Sequence, residues 1–348
     1  MRNRLKKNYI RFARISLVLV YLVILAGAVV RMTGSGMGCP DWPKCFGYLI
    51  PPTEASQLNW SPGKAFEKGQ VIIRDEALLL ARTDFVTGTD FESGNWEPYT
   101  RHDYAVFNAA HTWTEYINRL LGALAGLSIL IMAGCSLAWW PERRSRVIFA
   151  WLTVLAIGFQ GWLGATVVYS VLAPVRITLH MMMALVLVGM LLWIVFRSEA
   201  GRRVRTYDRL TARLWMATVA LSLLQILLGT QVRQYVDDQT DILGYGARDQ
   251  WLANPTWVFY VHRSFSALLL LLHLWVAYRI ATLRLGFRKI FPTLGVLLLI
   301  LVSGLAMAYL DFPWGSQPIH LVMASVLFGL QWYLLLEMQR AARAGISL

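Results

Sequence analysis

The chain has 348 residues, of which 57% are hydrophobic and 15% are charged, and its mean hydropathy is +0.48. A soluble domain typically carries about 25% charged residues, so this composition excludes a disordered chain, a disulfide-rich miniprotein and an ordinary soluble enzyme. The net charge of +13 does not indicate a nucleic-acid partner, because the basic residues lie in short clusters between apolar runs. We therefore predict an all-α polytopic membrane protein.

Eight segments contain the roughly 20 mostly apolar residues that a membrane-spanning helix needs. The first of them also has features of a signal peptide, since basic residues precede it. The fifth segment repeats its pattern, however, and this favours a true span. The predicted spans are 14–31, 111–140, 147–169, 175–196, 214–235, 257–281, 290–309 and 318–337.

The distribution of Lys and Arg predicts the orientation, because cytoplasmic segments of membrane proteins are enriched in these residues. With the N-terminus inside, the inner segments contain 21 of the 33 basic residues and only four of the 20 acidic ones. The long connection over about 32–110 then lies outside, and its segment 71–82 is predicted to form a short amphipathic helix. We expect a multi-pass protein of the cell inner (cytoplasmic) membrane with both termini in the cytoplasm.

The sequence contains an internal repeat. Helix 1 ends in LAGAVVRMT (25–33) and helix 5 in LLGTQVRQY (227–235). Helix 2 contains EYINRLLGALAG (115–126), which is matched by FYVHRSFSALLL (259–270) in helix 6. These matches relate the first four helices to the last four.

Helices 3 and 4 extend the repeat, because Gly164 and His180 recur at an offset of 140 as Gly304 and His320. Four matched helix pairs in order predict two four-helix bundles related by an axis along the membrane normal. The expected domains are an N-terminal bundle with the outer loop (1–196), an inner linker (197–213) and a C-terminal bundle (214–348).

Three histidines within the spans are candidate metal ligands, because ionisable residues in membrane helices are energetically expensive and usually functional. His180, His262 and His320 each lie six or seven residues after a proline on helices predicted to run inwards, which places them at one depth. Two imidazoles that face each other across a bundle can hold haem iron. The alternative is a histidine that only hydrogen-bonds to a neighbouring helix, and the repeat makes this less favoured.

Five arginines lie at outer helix ends, where the positive-inside tendency gives no reason to place them. We expect them to bind haem propionates, because Arg makes bidentate contacts with carboxylates. Snorkelling to lipid headgroups is the alternative for some of them. The five are Arg31, Arg119, Arg176, Arg233 and Arg263.

Cys39 and Cys45 flank the sequence PDWPK on the outer side, which is an oxidising compartment in bacteria. A disulfide between them is geometrically plausible, because Pro40 and Pro43 bend the segment. Two free or redox-active thiols are the alternative. Cys135, near the inner end of helix 2, is expected in the core.

Four segments together resemble the haem A synthase family. They are VVRMTGSGMGCPDWPKCFGYLIPP (29–52), EYINRL (115–120), HRSF (262–265) and PIHLVMA (318–324). The first is highly specific, and the resemblance extends over essentially all eight helices, with His180 at the matching position of helix 4.

This resemblance implies an oxidoreductase that converts the C8 methyl group of haem O to a formyl group, through an alcohol and a hydrated aldehyde. It implies a permanent haem b between His262 and His320, and a substrate haem in the N-terminal bundle with Glu115 as the essential acid. It further implies delivery of haem A to cytochrome c oxidase and, by extension, a partnership with haem O synthase. The expected partners are thus haem O and the lipid bilayer, with no nucleic acid.

One position departs from the family pattern, which places a histidine three residues after Glu115, where this chain has Asn118. An amide is a poor ligand for iron, and three interpretations stay open. His111, two turns earlier and about 10 Å nearer the outer surface, ligates a shifted haem; His180 ligates the haem alone; or the first half is inactive. Glu115 lies one turn from both His111 and Asn118, so it faces the same site in either active interpretation.

The main alternative function is a membrane di-haem b-type electron-transfer cytochrome of the quinol-oxidising kind. Such a carrier is expected to have two equivalent bis-histidine sites, and Asn118 breaks that equivalence. A transporter is expected to have helices broken near mid-membrane, whereas the Gly and Pro interruptions here cluster at the outer ends. Of the remaining histidines, His273 is expected to be structural, and His102 is expected either to be solvated, which is slightly favoured, or to line the haem entrance.

Overall fold

The structure, a computed structural model, describes residues 2–198 and 205–345. Over these residues the membrane part of the fold is all-α, with eight helices long and apolar enough to cross a membrane, and short strands occur in the outer loop. The protein is therefore a polytopic membrane protein, and each predicted span falls on one helix. The helices are α1 (Arg2–Met32), α2 (Ala109–Ser136), α3 (Arg144–Tyr169), α4 (Pro174–Ser198), α5 (Arg209–Leu243), α6 (Trp257–Thr282), α7 (Ile290–Tyr309) and α8 (Ser316–Arg343).

Two helices exceed their predicted spans by more than ten residues. α1 begins at Arg2 instead of residue 14, and α5 continues to Leu243. The additional turns are polar, and at the start of α1 the side chains of Arg2 and Lys6 bind the Glu142 carboxylate at 2.7 and 2.6 Å. A helix outside the hydrocarbon region needs no apolar stretch, so hydropathy alone does not detect such turns.

Contacts between Cα atoms divide the chain into two compact units. The outer-loop unit comprises Leu22–Leu127 and Val154–Met183, which are the outer loop and the adjoining parts of α1–α4. The other unit comprises residues 2–21, 128–153, 184–198 and 205–345. It contains α5–α8 together with the remaining parts of α1–α4, and we call it the α5–α8 unit. This division follows contact density, so the domain bounds that the repeat predicts stay a prediction. Residues 199–204 of the predicted linker lie outside the described residues.

Within the α5–α8 unit, helices α5, α6, α7 and α8 form a closed ring, in which α5 and α7 each pack against both α6 and α8. The Asp208 carboxylate caps the start of α5 by accepting the Thr211 N–H at 2.8 Å. α8 begins after Gly315, whose φ of 83° lies in the left-handed region that glycine adopts at little cost. His320 thus lies in the first turns of α8.

The outer loop contains β-strands, and the prediction of an amphipathic helix over 71–82 is wrong. Strands β2 and β3 pair as an antiparallel hairpin, and β5 adds to the other side of β3. Asp75 and Glu76 connect β2 to β3 with positive φ at both positions, as a two-residue hairpin turn requires. Short apolar runs are ambiguous between helix and strand. The strands are β1 (Ala65–Phe66), β2 (Val71–Arg74), β3 (Ala77–Ala81), β4 (Phe85–Val86) and β5 (Trp96–Pro98).

Cys39 and Cys45 form a disulfide with their Cα atoms 4.8 Å apart, which confirms the predicted pairing. Both are buried in the core of the outer loop together with Phe46 and Val71. Cys135 is a free, buried cysteine on α2, as expected. The disulfide-closed segment between the two cysteines lies against α2, where it contributes to the site described next.

Candidate functional site

Two histidine rings face each other within the α5–α8 unit. His262 on α6 and His320 on α8 have ring centroids 6.4 Å apart, and their ring planes are inclined at 61°. The helix ring therefore brings together the two side chains that the sequence marks as candidate ligands.

Glycines on the neighbouring helices make room for both rings. A Cβ atom on Gly229 of α5 would lie 3.0 Å from His262 Cε1, and one on Gly304 of α7 would lie 3.3 Å from His320 Cε1. Both distances are tighter than ordinary van der Waals contacts. Any larger residue would press on the ring, so these two glycines determine where the imidazoles lie.

The orientation of His320 is set by its Nδ1 atom, which lies 3.0 Å from the Ile300 carbonyl oxygen and 3.1 Å from Ser303 Oγ. An imidazole whose Nδ1–H donates to a carbonyl presents the lone pair of Nε2, as metal-ligating histidines usually do. His262 Nδ1 is buried and has no hydrogen-bond partner among the described residues.

The residues present fit a haem iron. Metal–imidazole bonds are about 2 Å long, so two of them fit between rings at the observed spacing. Over residues 2–198 and 205–345, no group of three or more His, Cys, Asp and Glu side chains is placed to hold a bare metal ion. An ion held by two imidazoles needs further ligands, and in haem the porphyrin supplies them.

His180 on α4 lies in the outer-loop unit and packs on a glycine as His320 does. A Cβ on Gly164 of α3 would lie 3.2 Å from His180 Cε1. The polar contacts of the ring differ from those of His320, because Gln160 Nε2 lies 3.3 Å from His180 Nε2 and donates to the His180 carbonyl at 3.1 Å. His180 Nδ1 is buried and lacks a hydrogen-bond partner in the described part of the chain.

Asn118 takes the position on α2 that the repeat matches to His262. A Cβ on Gly27 of α1, the repeat partner of Gly229, would lie 3.9 Å from Asn118 Oδ1. That oxygen is buried and finds no hydrogen-bond donor among the described residues. At this level of α2 an amide therefore stands where the second half has an imidazole.

Arg119 and Glu115 fasten the disulfide-closed segment to α2. The Arg119 guanidinium donates to the carbonyl oxygens of Cys39, Asp41 and Lys44 at 3.1, 2.6 and 2.9 Å and pairs with Glu115 Oε1. Glu115 Oε2 accepts the Cys39 N–H at 2.9 Å. Both carboxylate oxygens of the predicted essential acid are thus engaged in this arrangement, which we call the loop clamp.

The segment is also closed internally by Asp41, whose carboxylate accepts the N–H groups of Phe46 and Gly47 at 2.6 and 2.8 Å. Burial raises the pKa of the Asp41 carboxyl, while these two N–H groups and Arg119 act in the opposite direction. Gly47 has a φ of 78° and lies against the backbone of Gly69, so no other residue fits there.

His111 lies in the first turn of α2, where its N–H donates to Asn108 Oδ1 at 3.2 Å and its backbone packs against Gly38. Seven residues separate it from Asn118, which corresponds to about 10 Å along the helix. It therefore lies at a different level of α2 from the position that it would replace as a ligand.

Each of the five outer arginines has a polar partner within its own unit, and their role as propionate ligands stays a prediction. The contacts are Arg31 with Met181 Sδ (3.7 Å), Arg119 in the loop clamp, Arg176 with the Thr166 carbonyl (2.9 Å), Arg233 with Asp237 (2.6 Å) and Arg263 with the Tyr309 hydroxyl (3.4 Å).

The two remaining histidines have structural contacts. His273 is fully buried, with Nδ1 2.7 Å from the Leu269 carbonyl and Nε2 2.9 Å from the Gln331 amide, which agrees with the structural role expected of it. His102 is half-buried, so it is only partly solvated: its Nε2 lies 2.9 Å from the Pro40 carbonyl and its ring packs on Tyr99.

Sequence reasoning missed Gln160 and the loop carbonyls that Arg119 binds. The Glu115–Arg119 spacing of four residues is visible in the sequence, but its partners lie about 80 residues away. The offset of 140 that relates Gly164 to Gly304 also relates Gln160 to Ile300. The replacement of an apolar residue by an amide at this repeat position could have identified Gln160 from the sequence.

The eight apolar helices of the described residues define a multi-pass membrane protein of the helical-bundle type, in which two imidazoles face each other. Its family follows from comparison with known proteins. Residues 10–75 and 95–332 match the family model COX15-CtaA, described as cytochrome oxidase assembly protein, and the chain belongs to this family.

Several curated relatives carry the name Heme A synthase. The protein from Shewanella oneidensis is 29% identical over 218 residues, which cover 62% of this chain and 54% of the relative. The one from Rhizorhabdus wittichii is 28% identical over 62% of this chain and 56% of the relative. In both matches the chain spans about half the length of the relative. The Ehrlichia canis protein is 24% identical over 91% of this chain and 89% of its own length.

Proposed function

We propose that this chain is a haem A synthase, a membrane oxidoreductase that converts the C8 methyl group of haem O to the formyl group of haem A. The observation that carries the proposal is the unequal pair of histidine sites. His262 and His320 face each other, which suits a retained cofactor, whereas the His180 ring lies against the Gln160 amide, which suits a substrate that must leave. Family membership and the name shared by the relatives support the same activity.

The retained cofactor would be haem b, and His262 and His320 would hold its iron. When bound, this haem supplies one-electron transfer. The protein's part is to hold the two rings at a constant spacing, for which Gly229 and Gly304 provide the room and the Ile300 carbonyl provides the orientation of His320.

The substrate is haem O, and His180 is its proposed ligand in the outer-loop unit. Arg31 contacts Met181, the residue after His180, and this contact supports a role for Arg31 in binding a propionate of the same haem. His111 is the remaining candidate for a second ligand on a haem shifted outwards.

Glu115 is the proposed acid of the reaction. The oxidation of a methyl group through an alcohol and a hydrated aldehyde releases protons, and a positioned carboxyl group can accept or return them. Arg119 engages Oε1 and the Cys39 N–H engages Oε2, so the clamp would hold the carboxyl group in position. A carboxylate oxygen has two lone pairs, and Oε2 could exchange a proton through the second one.

Haem content tests the proposed function. The chain is expressed in a host that makes haem O but not haem A, and the extracted haems are separated by chromatography. We expect haem A or its alcohol precursor, which the same host with an empty vector does not contain. Two equivalents of unmodified haem b in the purified protein would contradict the proposal and support the electron-transfer cytochrome.

Alanine variants separate the interpretations of the substrate site. His180→Ala is expected to abolish conversion in either active interpretation. If His111 also ligates the substrate iron, His111→Ala should cause a similar loss, whereas it should retain most activity if His180 acts alone. Full activity of His180→Ala would reject the proposed substrate site.

We further propose that the protein lies in the inner membrane with both termini in the cytoplasm, as the distribution of basic residues indicates. The substrate would come from haem O synthase, and the product would pass to a haem-A-type cytochrome c oxidase. The description of the family as cytochrome oxidase assembly protein supports this use of the product.

A further inference from the structure

The two halves hold their matching histidines in different ways. His320 Nδ1 is bound to the Ile300 carbonyl and Ser303 Oγ, which leaves Nε2 to a metal. His180 has the opposite arrangement, because its Nε2 is 3.3 Å from the Gln160 amide and its Nδ1 has no partner among the described residues.

The sequence explains this difference. At the offset of 140 that relates Gly164 to Gly304, the counterparts of Ile300 and Ser303 are Gln160 and Leu163. The first half therefore gains an amide that reaches the metal-binding nitrogen and loses the hydroxyl that contacts the other nitrogen.

We propose that Gln160 caps Nε2 of His180 and thereby makes haem ligation in the first half reversible. This inference rests on the proposed function, in which this site must bind a substrate and release a product. The amide N–H has to leave the Nε2 lone pair before a metal binds there, and it returns when the metal departs, so it competes with ligation. Its second bond, to the His180 carbonyl at 3.1 Å, keeps the amide beside the ring.

Asn118 acts in the same direction. It occupies the position of the second imidazole, against Gly27, and its Oδ1 is a poor ligand for iron. A haem on His180 is therefore held by one imidazole at this level, whereas the haem between His262 and His320 is held by two.

Haem transfer to excess apomyoglobin tests the proposal without relying on catalysis. The full-length protein is purified in detergent and loaded with unmodified haem b, and release is followed by absorbance. We expect one fast and one slow phase of equal amplitude. Gln160→Ile installs the residue of the second half and should slow the fast phase roughly three- to tenfold, the effect of one removed hydrogen bond.

The reciprocal variant, Ile300→Gln, should accelerate the slow phase by a similar factor and does not depend on the folding of Gln160→Ile. Gln225→Leu is the matched control, because Gln225 Nε2 donates to the backbone carbonyl of His262 at 2.8 Å and not to its ring. It should leave the fast phase unchanged.

Three outcomes would overturn the proposal: equal release rates for both haems, a fast phase that Gln160→Ile does not slow, or binding of only one haem. A wild-type protein that shows both phases and the expected response, but never produces haem A, would instead reject the proposed function and leave the cap in place.

Discussion

A histidine within a membrane helix obtains its chemistry from the atoms that contact its two ring nitrogens. In His320 the Nδ1–H donates to the Ile300 carbonyl, which leaves the Nε2 lone pair available to a metal. In His273 both nitrogens are satisfied, by the Leu269 carbonyl and the Gln331 amide, so the ring serves only packing. Both are histidines in membrane helices, and the hydrogen-bond partners of the ring distinguish their roles.

Removal of either facing histidine should change the absorbance spectrum of the proposed cofactor site. We expect His262→Ala and His320→Ala each to lose the low-spin b-type absorbance spectrum, because the iron then has one axial imidazole fewer. His273→Ala is the matched control on α6 and should keep the spectrum, since its ring contacts Gln331 and not His320. An unchanged low-spin spectrum in His262→Ala would place the cofactor elsewhere.

Glu115→Gln tests the proton role within the loop clamp. The amide is isosteric but exchanges no proton, so conversion of haem O should fall about 10²- to 10⁴-fold while the b-type spectrum remains. Substrate should accumulate unchanged or at the alcohol stage, as measured by chromatography of extracted haems. Glu142→Gln, an exposed carboxylate paired with Lys6, is the control. A wild-type rate in Glu115→Gln would reject the proposed mechanism.

At the scale of helices, glycines position the candidate ligands. Gly304→Ala would place a Cβ 3.3 Å from His320 Cε1, whereas Gly295→Ala on the same helix meets no atom within 4 Å. We therefore expect Gly304→Ala to shift the low-spin absorbance or to lower haem occupancy, and Gly295→Ala to behave as wild type. Equal spectra of the two variants would show that the ring adapts and that the glycine does not set its position.

The disulfide-closed segment is the second element with a testable role. Cys39→Ser with Cys45→Ser should leave the b-type spectrum intact, because His262 and His320 belong to the α5–α8 unit. A disulfide that closes a loop of this length stabilises the fold by about 2 kcal/mol through the chain entropy of the unfolded state. Without it, added protease should cleave the outer loop faster. Loss of the b-type haem from the double variant would instead mean that the loop belongs to the cofactor site.

At the scale of the whole molecule, the basic residues predict the orientation. A green fluorescent protein fused after residue 348 should fluoresce, and alkaline phosphatase fused there should be inactive, because both report a cytoplasmic C-terminus. Phosphatase inserted at Gly63, in the outer loop, should be active. The reverse pattern would contradict the proposed orientation.

Properties that depend on local or periodic patterns could be predicted from the sequence. The eight spans follow from runs of apolar residues, since burial in lipid demands them whatever the packing. The candidate ligands His180, His262 and His320 and the departure at Asn118 follow from the repeat, which is a comparison of the chain with itself. The disulfide was one of two alternatives, because cysteine spacing alone does not exclude free thiols.

Properties that depend on contacts between distant residues were decided only by the tertiary structure. The apolar residues of segment 71–82 are compatible with a helix or with strands. In the structure β2 and β3 pair as a hairpin, and β5 adds to β3. Arg119 finds its carbonyl partners 75 to 80 residues away, across the outer loop. The contact of Gln160 with His180 depends on the packing of α3 against α4, and no property of either residue alone predicts it. Closure of a long loop and the packing of helices bring such groups together, and neither leaves a pattern in the sequence.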